Sequence, residues 1–396
     1  MRILHLATSL NGGAGSAAYR SHEALIDSGF HSKILTLTHN KEIHKNGVIE
    51  TNRKSIDRLT SGINTKLQSL IIQRTSNLLT PISISQISLS EPAILESSII
   101  HAHASYNFFD LADLIALSRM NKKIFITLHD QRFFTGGCHY SYECRGFKAS
   151  CKRCPQARIV GRRVIDKKLS DSVDHKSEIS RFKFISPSTW LNSLAKESKL
   201  LEEVTMRVIF NPVPGDFYPE TSSKAEKELL TLGFCSADLN NPYKGINLLS
   251  EAFHIISMTN PERKFQLNLI GVGKLISFPN NVSVTRIEVS SQTEIAKELS
   301  KLDFLVVPST ADNAPSVISE SLMCGTPVLG SSSGGIPEML DDGNGMIFTS
   351  ESAEDLARKI LTFNIPTANK AIAKSAKEKY GYSIVAKNLM DYYCSN

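Results

Sequence analysis

The sequence predicts an α/β protein built from two doubly wound domains in tandem, on three observations. The chain has 396 residues, enough for two ordinary domains. Short apolar runs of the buried parallel-strand type alternate with helical stretches through both halves. Between the halves, Asn211-Pro-Val-Pro-Gly215 and then Pro219 make an extended, proline-stiffened stretch that reads as a linker, followed by the polar segment 221–228. With 41% hydrophobic and 21% charged residues, the composition is that of a soluble globular protein and excludes a disordered one.

The opening, Ile3 to Ala7, is a short apolar strand. It runs into a glycine loop, Gly12-Gly13-Ala14-Gly15, and then a helix from Ser16 to Ile26 ended by Gly29. Further strands are expected at 33–37, 99–103, 124–129, 182–185 and 207–209. Residues 52–79 space apolar side chains at helical intervals with Arg and Lys opposite, as in a surface helix that touches membrane or acceptor, or in a plain packing helix. Beyond the linker, strands are expected near 229–234, 265–270, 282–285, 303–307, 326–329 and 346–348, with helices near 245–258, 291–300, 315–324 and 352–362. The ending, 366–394, reads as helical with a break near Gly381.

Ligands of open α/β sheets bind beyond the carboxyl ends of the strands, so the loops there are the places to search. Residues 311–338, ADNAPSVISESLMCGTPVLGSSSGGIPE, are the most informative. Pro315 fits the first turn of a helix, where its missing N–H costs nothing. Asp312 then lies on the preceding loop and Glu320 about one and a half turns inside the helix. The two flank free N–H donors at Ser316 and Val317, which suit a diphosphate.

These residues resemble the retaining glycosyltransferases of family 4, which carry an E-x7-E signature before a CGTPV…GGIPE segment; here it reads D-x7-E, one methylene shorter at the first acid. The resemblance extends over about residues 1–30, 98–157 and 208–345, and it is similar to the colanic-acid and exopolysaccharide subgroup. It implies the GT-B architecture, two Rossmann-like domains facing a central cleft: an acceptor-binding domain over 1–212, a nucleotide-sugar domain over 213–380, and a last helix, 381–396, returning to the first. It further implies that Asp312 meets donor-sugar hydroxyls, Glu320 holds the ribose and the Ser316 and Val317 amides bind the diphosphate. His129, in Thr127-Leu-His129-Asp130, is implied in sugar binding and the leaving-group environment; His103 ends a strand close by. A histidine satisfied by backbone is the alternative at both positions. Lys244 can neutralise the diphosphate as the glycosidic bond breaks, without the arginine the family usually offers a few residues earlier. Gly12, Gly13 and Gly15 either approach a phosphate or acceptor, or form a tight turn. Catalysis without a metal is implied as well.

Four cysteines, Cys138, Cys144, Cys151 and Cys154, fall in FFTGGCHYSYECRGFKASCKRCPQ and end in C-x2-C. That spacing suggests a structural zinc site, with disulfides or free thiols as alternatives and His139 as a substitute ligand. Charge is uneven. Residues 1–215 hold 29 Lys+Arg against 18 Asp+Glu, net +11, while 216–396 hold 16 against 21, net −5. Nine basic residues between Arg145 and Lys168, with Asp166 the one acid among them, form a field suited to an anionic membrane surface, a lipid-diphosphate acceptor or nucleic acid, or simply a solvated basic face.

The expected function is a retaining transfer of a sugar from a UDP- or GDP-sugar to a saccharide acceptor, lipid-diphosphate-linked, in capsule, O-antigen or exopolysaccharide assembly. Contact with anionic inner membrane through the basic first domain is expected, and nucleic acid is not. No run is long enough to span a bilayer and none resembles a signal-peptide core, so a cytoplasmic protein, peripheral at the inner membrane face, is expected. Two other readings stay open: a sugar-nucleotide epimerase, and a non-enzymatic nucleic-acid or ligand binder on a degenerate scaffold of the same fold.

Overall fold

The computed structural model describes residues 1–39, 46–51, 66, 68–72, 79–103, 105–219, 229–341, 343–364 and 369–395. Most of the helix expected over 52–79 and the polar stretch 221–228 lie outside the described residues. The chain divides into two compact units, Met1–Phe210 with Val385–Asn396, and Asn211–Ile384.

The first unit holds a seven-stranded sheet in the order β3-β2-β1-β4-β5-β6-β7. Its strands are β1 (Ile3–Ser9), β2 (Ser32–Thr38), β3 (Val48–Glu50), β4 (Ile99–Ala102), β5 (Lys123–Thr127), β6 (Lys183–Ser186) and β7 (Met206–Val208). All neighbours pair in parallel. Parallel strands covered by helices on both faces are buried on both faces, which is why they read as continuous apolar runs. Leu4, Leu6, Ile100, Ile124, Ile126 and Phe184 form the centre of this core. Its helices include α1 (Gly12–Asp27), α2 (Pro92–Glu96), α3 (Leu111–Arg119), α4 (Ile159–Asp174), α5 (Lys176–Ile179) and α6 (Thr189–Lys196).

One correction concerns the first glycines. They are not a loop before a helix at Ser16, because α1 already begins at Gly12. Gly12 enters the helix at φ +75°, and a Cβ on Gly15 would stand 2.3 Å from the Ser9 carbonyl oxygen. Gly15 is therefore required for close helix–strand packing, whereas nothing lies within 4 Å of the Cβ positions of Gly12 and Gly13.

The second unit holds a six-stranded sheet in the order β10-β9-β8-β11-β12-β13. These strands are β8 (Leu230–Asp238), β9 (Phe265–Val272), β10 (Val282–Ile287), β11 (Phe304–Val307), β12 (Val328–Ser331) and β13 (Gly345–Phe348). They too pair in parallel. Around them lie α7 (Ile246–Thr259), α8 (Gln292–Ser300), α9 (Ser316–Met323), α10 (Ala353–Thr362) and α11 (Asn369–Tyr380). Leu232, Phe234, Leu267, Phe304 and Leu329 build its core with Phe253 and Leu356 of the flanking helices.

After the break at Gly381, α12 (Tyr382–Cys394) runs into the first unit. Tyr392 and Tyr393 there set their rings edge-on to Phe125, with centroids 5.4 and 4.8 Å away.

Each sheet grows outward in both directions from its first strand, so the strand order reverses between β1 and β4 in one unit and between β8 and β11 in the other. A crevice opens beyond the carboxyl ends of the strands at such a reversal, and ligands of this fold class bind there.

Candidate functional site

In the second unit, the two loops that leave β8 and β11 carry the charged residues, and two glycines hold those loops in place. After β8 the chain makes a short turn, Pro242–Lys244, and enters α7 through Gly245 at φ +78°. A Cβ on Gly245 would stand 2.0 Å from the carbonyl oxygen of Pro308, just past β11, so only glycine lets the two loops meet. Thr310 N–H donates to the Tyr243 carbonyl at 2.8 Å and fastens them further. Lys244 Nζ reaches Asp312 Oδ2 at 2.7 Å.

Asp312 is held from three sides. Its Oδ1 accepts from the Asn313 N–H at 3.1 Å and its carbonyl from the Gly335 N–H at 3.1 Å. Gly334, at φ +60°, passes so close that a Cβ would meet the Asp312 carbonyl oxygen at 1.8 Å. The glycine-rich turn 331–335 thus serves as a brace behind Asp312. Pro315 caps α9 from outside the first turn where the sequence suggested a place inside it. The N–H groups of Ser316 and Val317 stand at the start of that helix, beyond the reach of any intrahelical carbonyl. Glu320 lies one turn further on and is buried. Cys235, within β8, has its thiol pushed up to about 12 by burial first and by the Glu320 carboxylate second. The second unit therefore gathers a cation, two carboxylates and free helix amides at its strand-order reversal.

In the first unit, a pocket of about 650 Å³ lies beyond the ends of β4 and β5. His103, His129, Asp130, Arg132, Lys167 and Lys168 supply its polar side, while Phe109, Leu114, Ile115 and Phe133 supply the apolar one. Arg132 Nε bonds Asp130 Oδ2 at 2.7 Å, and His139 Nδ1 stands 3.6 Å from the same oxygen. Burial lowers Lys168 to about 8, helped by the Arg132 charge. Three cations, Arg132, Lys167 and Lys168, thus line the pocket together with three carboxylates, Asp110, Asp130 and Asp171.

Behind this wall runs a chain of imidazoles. His129 Nε2 meets His103 Nδ1 at 3.0 Å, and His103 Nε2 meets His5 Nδ1 at 2.9 Å. His101 sits beside them between the Thr127 and Tyr393 hydroxyls, at 2.7 and 2.6 Å. Burial holds His129 down to about 4 despite the opposing pull of Asp130, and His101 to about 3, so each ring is neutral at pH 7.

The structure brings Asp312, Glu320, Lys244, Ser316 and Val317 together in one unit and His129 with His103 in the other, and it sets Gly12, Gly13 and Gly15 at the end of β1. Sequence reasoning missed His5, which sits in a strand that reads as apolar, and Lys168, which was counted in a surface field. It also missed Cys235. The basic stretch 145–168 is not one uniform face. Lys148 pairs with Glu197, Arg158 donates to the Ile72 carbonyl, and Lys168 turns into the pocket. The signal for Lys168 was its helical spacing from Gly161 and Ile165, both on the buried face of α4.

The cysteines lie around a cavity of about 140 Å³ between β5 and α4, and no two of them are joined by a disulfide.

Two Rossmann-like units with the strand order 3-2-1-4-5-6 and a charged loop cluster at the reversal define the GT-B class of glycosyltransferase folds. Residues 230–363 match the glycosyl transferases group 1 family, so the second unit carries a domain of that family. An uncharacterized glycosyltransferase of Methanocaldococcus jannaschii is 33% identical over 146 residues, 35% of this chain and 40% of that protein. A putative colanic acid biosynthesis glycosyl transferase, WcaC of Escherichia coli, is 24% identical over 249 residues, 59% of this chain and 57% of that protein. The chain thus spans between two fifths and three fifths of the curated relatives it matches. Among solved structures, Anabaena HepE in complex with UDP-glucose superposes with a TM-score of 0.62 at 15% identity over 100% of both chains. Sucrose-phosphate synthase from Thermosynechococcus elongatus gives 0.63 at 16% identity, over 99% of this chain and 98% of that one. These likenesses establish the fold. Among the described residues, no helix is long and apolar enough to cross a membrane.

Proposed function

We propose that the protein transfers a sugar, with retention of configuration, from a UDP- or GDP-sugar to a lipid-diphosphate-linked saccharide during assembly of a bacterial surface polysaccharide. The observation that carries this reading is the Lys244–Asp312 pair at 2.7 Å beside the start of α9, within the group 1 domain. Departure of a nucleoside diphosphate leaves negative charge on the β-phosphate, and a positioned ammonium with helix N–H groups stabilises that charge as it develops. In this role Lys244 and the Ser316 and Val317 amides hold the diphosphate, Glu320 accepts from the ribose hydroxyls, and Asp312 orients the sugar while holding Lys244 in place. No metal is needed for this step, since the lysine supplies the cation. Retention follows if the acceptor hydroxyl attacks an oxocarbenium-like centre from the face the diphosphate leaves. UDP-glucose bound to HepE supports a uridine donor, and WcaC supports an exopolysaccharide setting.

The acceptor is assigned to the first-unit pocket, where Arg132 and Lys168 suit a diphosphate and the apolar side suits the start of a lipid chain. Val164 and Lys167 of α4 line the pocket. On the same exposed face, Ile159 and Val160 are 80% and 76% exposed with Arg163 between them in projection. Exposed aliphatic residues interleaved with cations suit the interface of an anionic membrane.

Thermal unfolding with a panel of nucleotide sugars tests the donor site. A ligand at about 100 times its Kd adds about 2.7 kcal/mol of stability. The cognate donor is expected to stabilise the wild type and to lose that effect in Glu320→Ala, while Lys244→Ala lowers kcat by about 10²- to 10³-fold. Stabilisation left intact in Glu320→Ala, or no response to any nucleotide sugar, would remove the site from the second unit.

A further inference from the structure

Two clusters of metal-ligating side chains lie in the first unit outside the donor chemistry. In the first, the nitrogens of His5, His101 and His103 fall within 4.8 Å of one another. His101 and His103, however, spend both ring nitrogens on hydrogen bonds to Thr127, Tyr393, His5 and His129. This is a bonded polar core, and filling it with a metal would break it.

The second cluster is different. We infer that Cys138, Cys144, Cys151 and Cys154 hold a structural zinc ion that staples the segment between β5 and α4.

Residues 128–158 contain no strand and no α-helix, only the 3-10 turns Arg132–Phe134 and Gly146–Lys148. A segment of that length without regular structure needs some other source of order. The apolar side chains near it form a small satellite core, Ile71, Leu79, Ala157, Ile165 and Leu169, in which Cys138, Cys151 and Cys154 are themselves members. Small cores of this kind are commonly stapled by a metal or disulfides.

All four cysteines line the same cavity of about 140 Å³, which is ample for one ion. The thiols of Cys138 and Cys154 are hydrogen-bonded partners. The Cys144 and Cys151 sulfurs flank Gly146, lying 3.6 and 3.8 Å from where its Cβ would stand. The backbone is already arranged as metal-binding thiolates require. Cys154 Sγ accepts from the N–H groups of Gln156 and Ala157, two and three residues on, and Cys151 Sγ accepts from the Gly136 N–H. Thr135 Oγ1 accepts from the Cys138 N–H at 2.8 Å, and Asp166 Oδ1 from the Cys151 N–H at 2.8 Å, fixing the ligand-bearing backbone. N–H donors aimed at sulfur fix ligand orientation from outside the ligand sphere.

The sulfurs stand wider than in a closed tetrahedron. Zn–S bonds of about 2.3 Å imply sulfurs about 3.8 Å apart, and the trio within 4.8 Å among the described residues is the histidine one. Binding draws the thiolates inward, releases their protons, and couples metal to the order of the segment.

The test is elemental analysis of the full chain, expressed with added zinc, purified without a polyhistidine tag or chelator. About one zinc per chain is expected, together with loss of metal in Cys151→Ser/Cys154→Ser. Should that variant fail to fold, cobalt-substituted wild type answers instead: tetrahedral ligand-field bands with thiolate-to-cobalt charge transfer are expected. Wild type without zinc, disulfides among these four residues in the purified protein, or a cobalt form lacking thiolate bands would each overturn the assignment.

Discussion

Lys244 and Asp312 pair with each other, which sets what each can do in the proposed donor site. A lysine held at 2.7 Å from a carboxylate is pre-positioned, so under the proposed role little side-chain entropy would remain to be lost on binding a diphosphate. The imidazoles of the first unit make a different residue-scale point. His5, His22, His101, His103, His129 and His139 are all held below the ordinary histidine range, by burial first in every case. Folded values of about 4 for His22, His129 and His139 lie below the free value of 6.5, so between these limits the unfolded chain binds more protons than the folded one. Their contribution is therefore present above pH 6.5 and lost as pH falls towards 4, at up to about 1.4 kcal/mol per pH unit for each group. Urea unfolding is expected to show a steep loss of stability between pH 7 and pH 5. Equal midpoints at pH 7 and pH 5 would contradict the neutral, buried histidines.

At the scale of elements, the parallel strands were legible because burial on both faces makes them continuous apolar runs bounded by polar turns. Thus β8, β9, β11 and β13 each appear within a few residues of their expected positions. The edge strand β3 was not, since its three residues are half-buried and carry no period. The Asp312–Glu320 spacing announced a loop followed by a helix, and Gly245 and Gly334 explain why the loops come together. What stayed hidden depends on contacts far apart in sequence. The partnership of His5 with His103 spans 98 residues, and no local pattern reports it. The helix α4 shows both cases: Gly161, Ile165 and Leu169 give its buried face by periodicity, while the exposure of Ile159 and Val160 required the structure. The membrane contact proposed for it has a direct check. Wild-type protein is expected to sediment with phosphatidylglycerol vesicles and not with phosphatidylcholine, weakening as salt is raised. Ile159→Asp/Val160→Asp should reduce that binding about tenfold or more with unchanged folding, because two buried aliphatic groups are each worth over 1 kcal/mol. Undiminished sedimentation of the variant would mean that α4 does not touch lipid.

For the whole molecule, chain order and spatial units do not coincide: residues 385–396 complete the first unit although the second unit precedes them in sequence. Val385, Ala386, Leu389, Tyr392 and Tyr393 are each at most 2% exposed. Tyr393 also satisfies His101, and Tyr392 lies under the Arg207 guanidinium, 4.7 Å from its ring centroid. Burying a large apolar side chain contributes about 1.5–3 kcal/mol, so removing this segment costs on the order of the 5–15 kcal/mol that stabilises a whole domain. It also leaves the His101 nitrogen in a buried site without its hydroxyl. Deletion of residues 385–396 is therefore expected to abolish the cooperative unfolding of the first unit. The milder Tyr393→Phe removes one hydrogen bond and should cost about 1–3 kcal/mol. Calorimetry distinguishes these outcomes, because the second unit retains its own core and its own transition. A truncated protein that melts as the full chain does would show that α12 only rests on the first unit, and the helix would then be a tether between two independently stable folds.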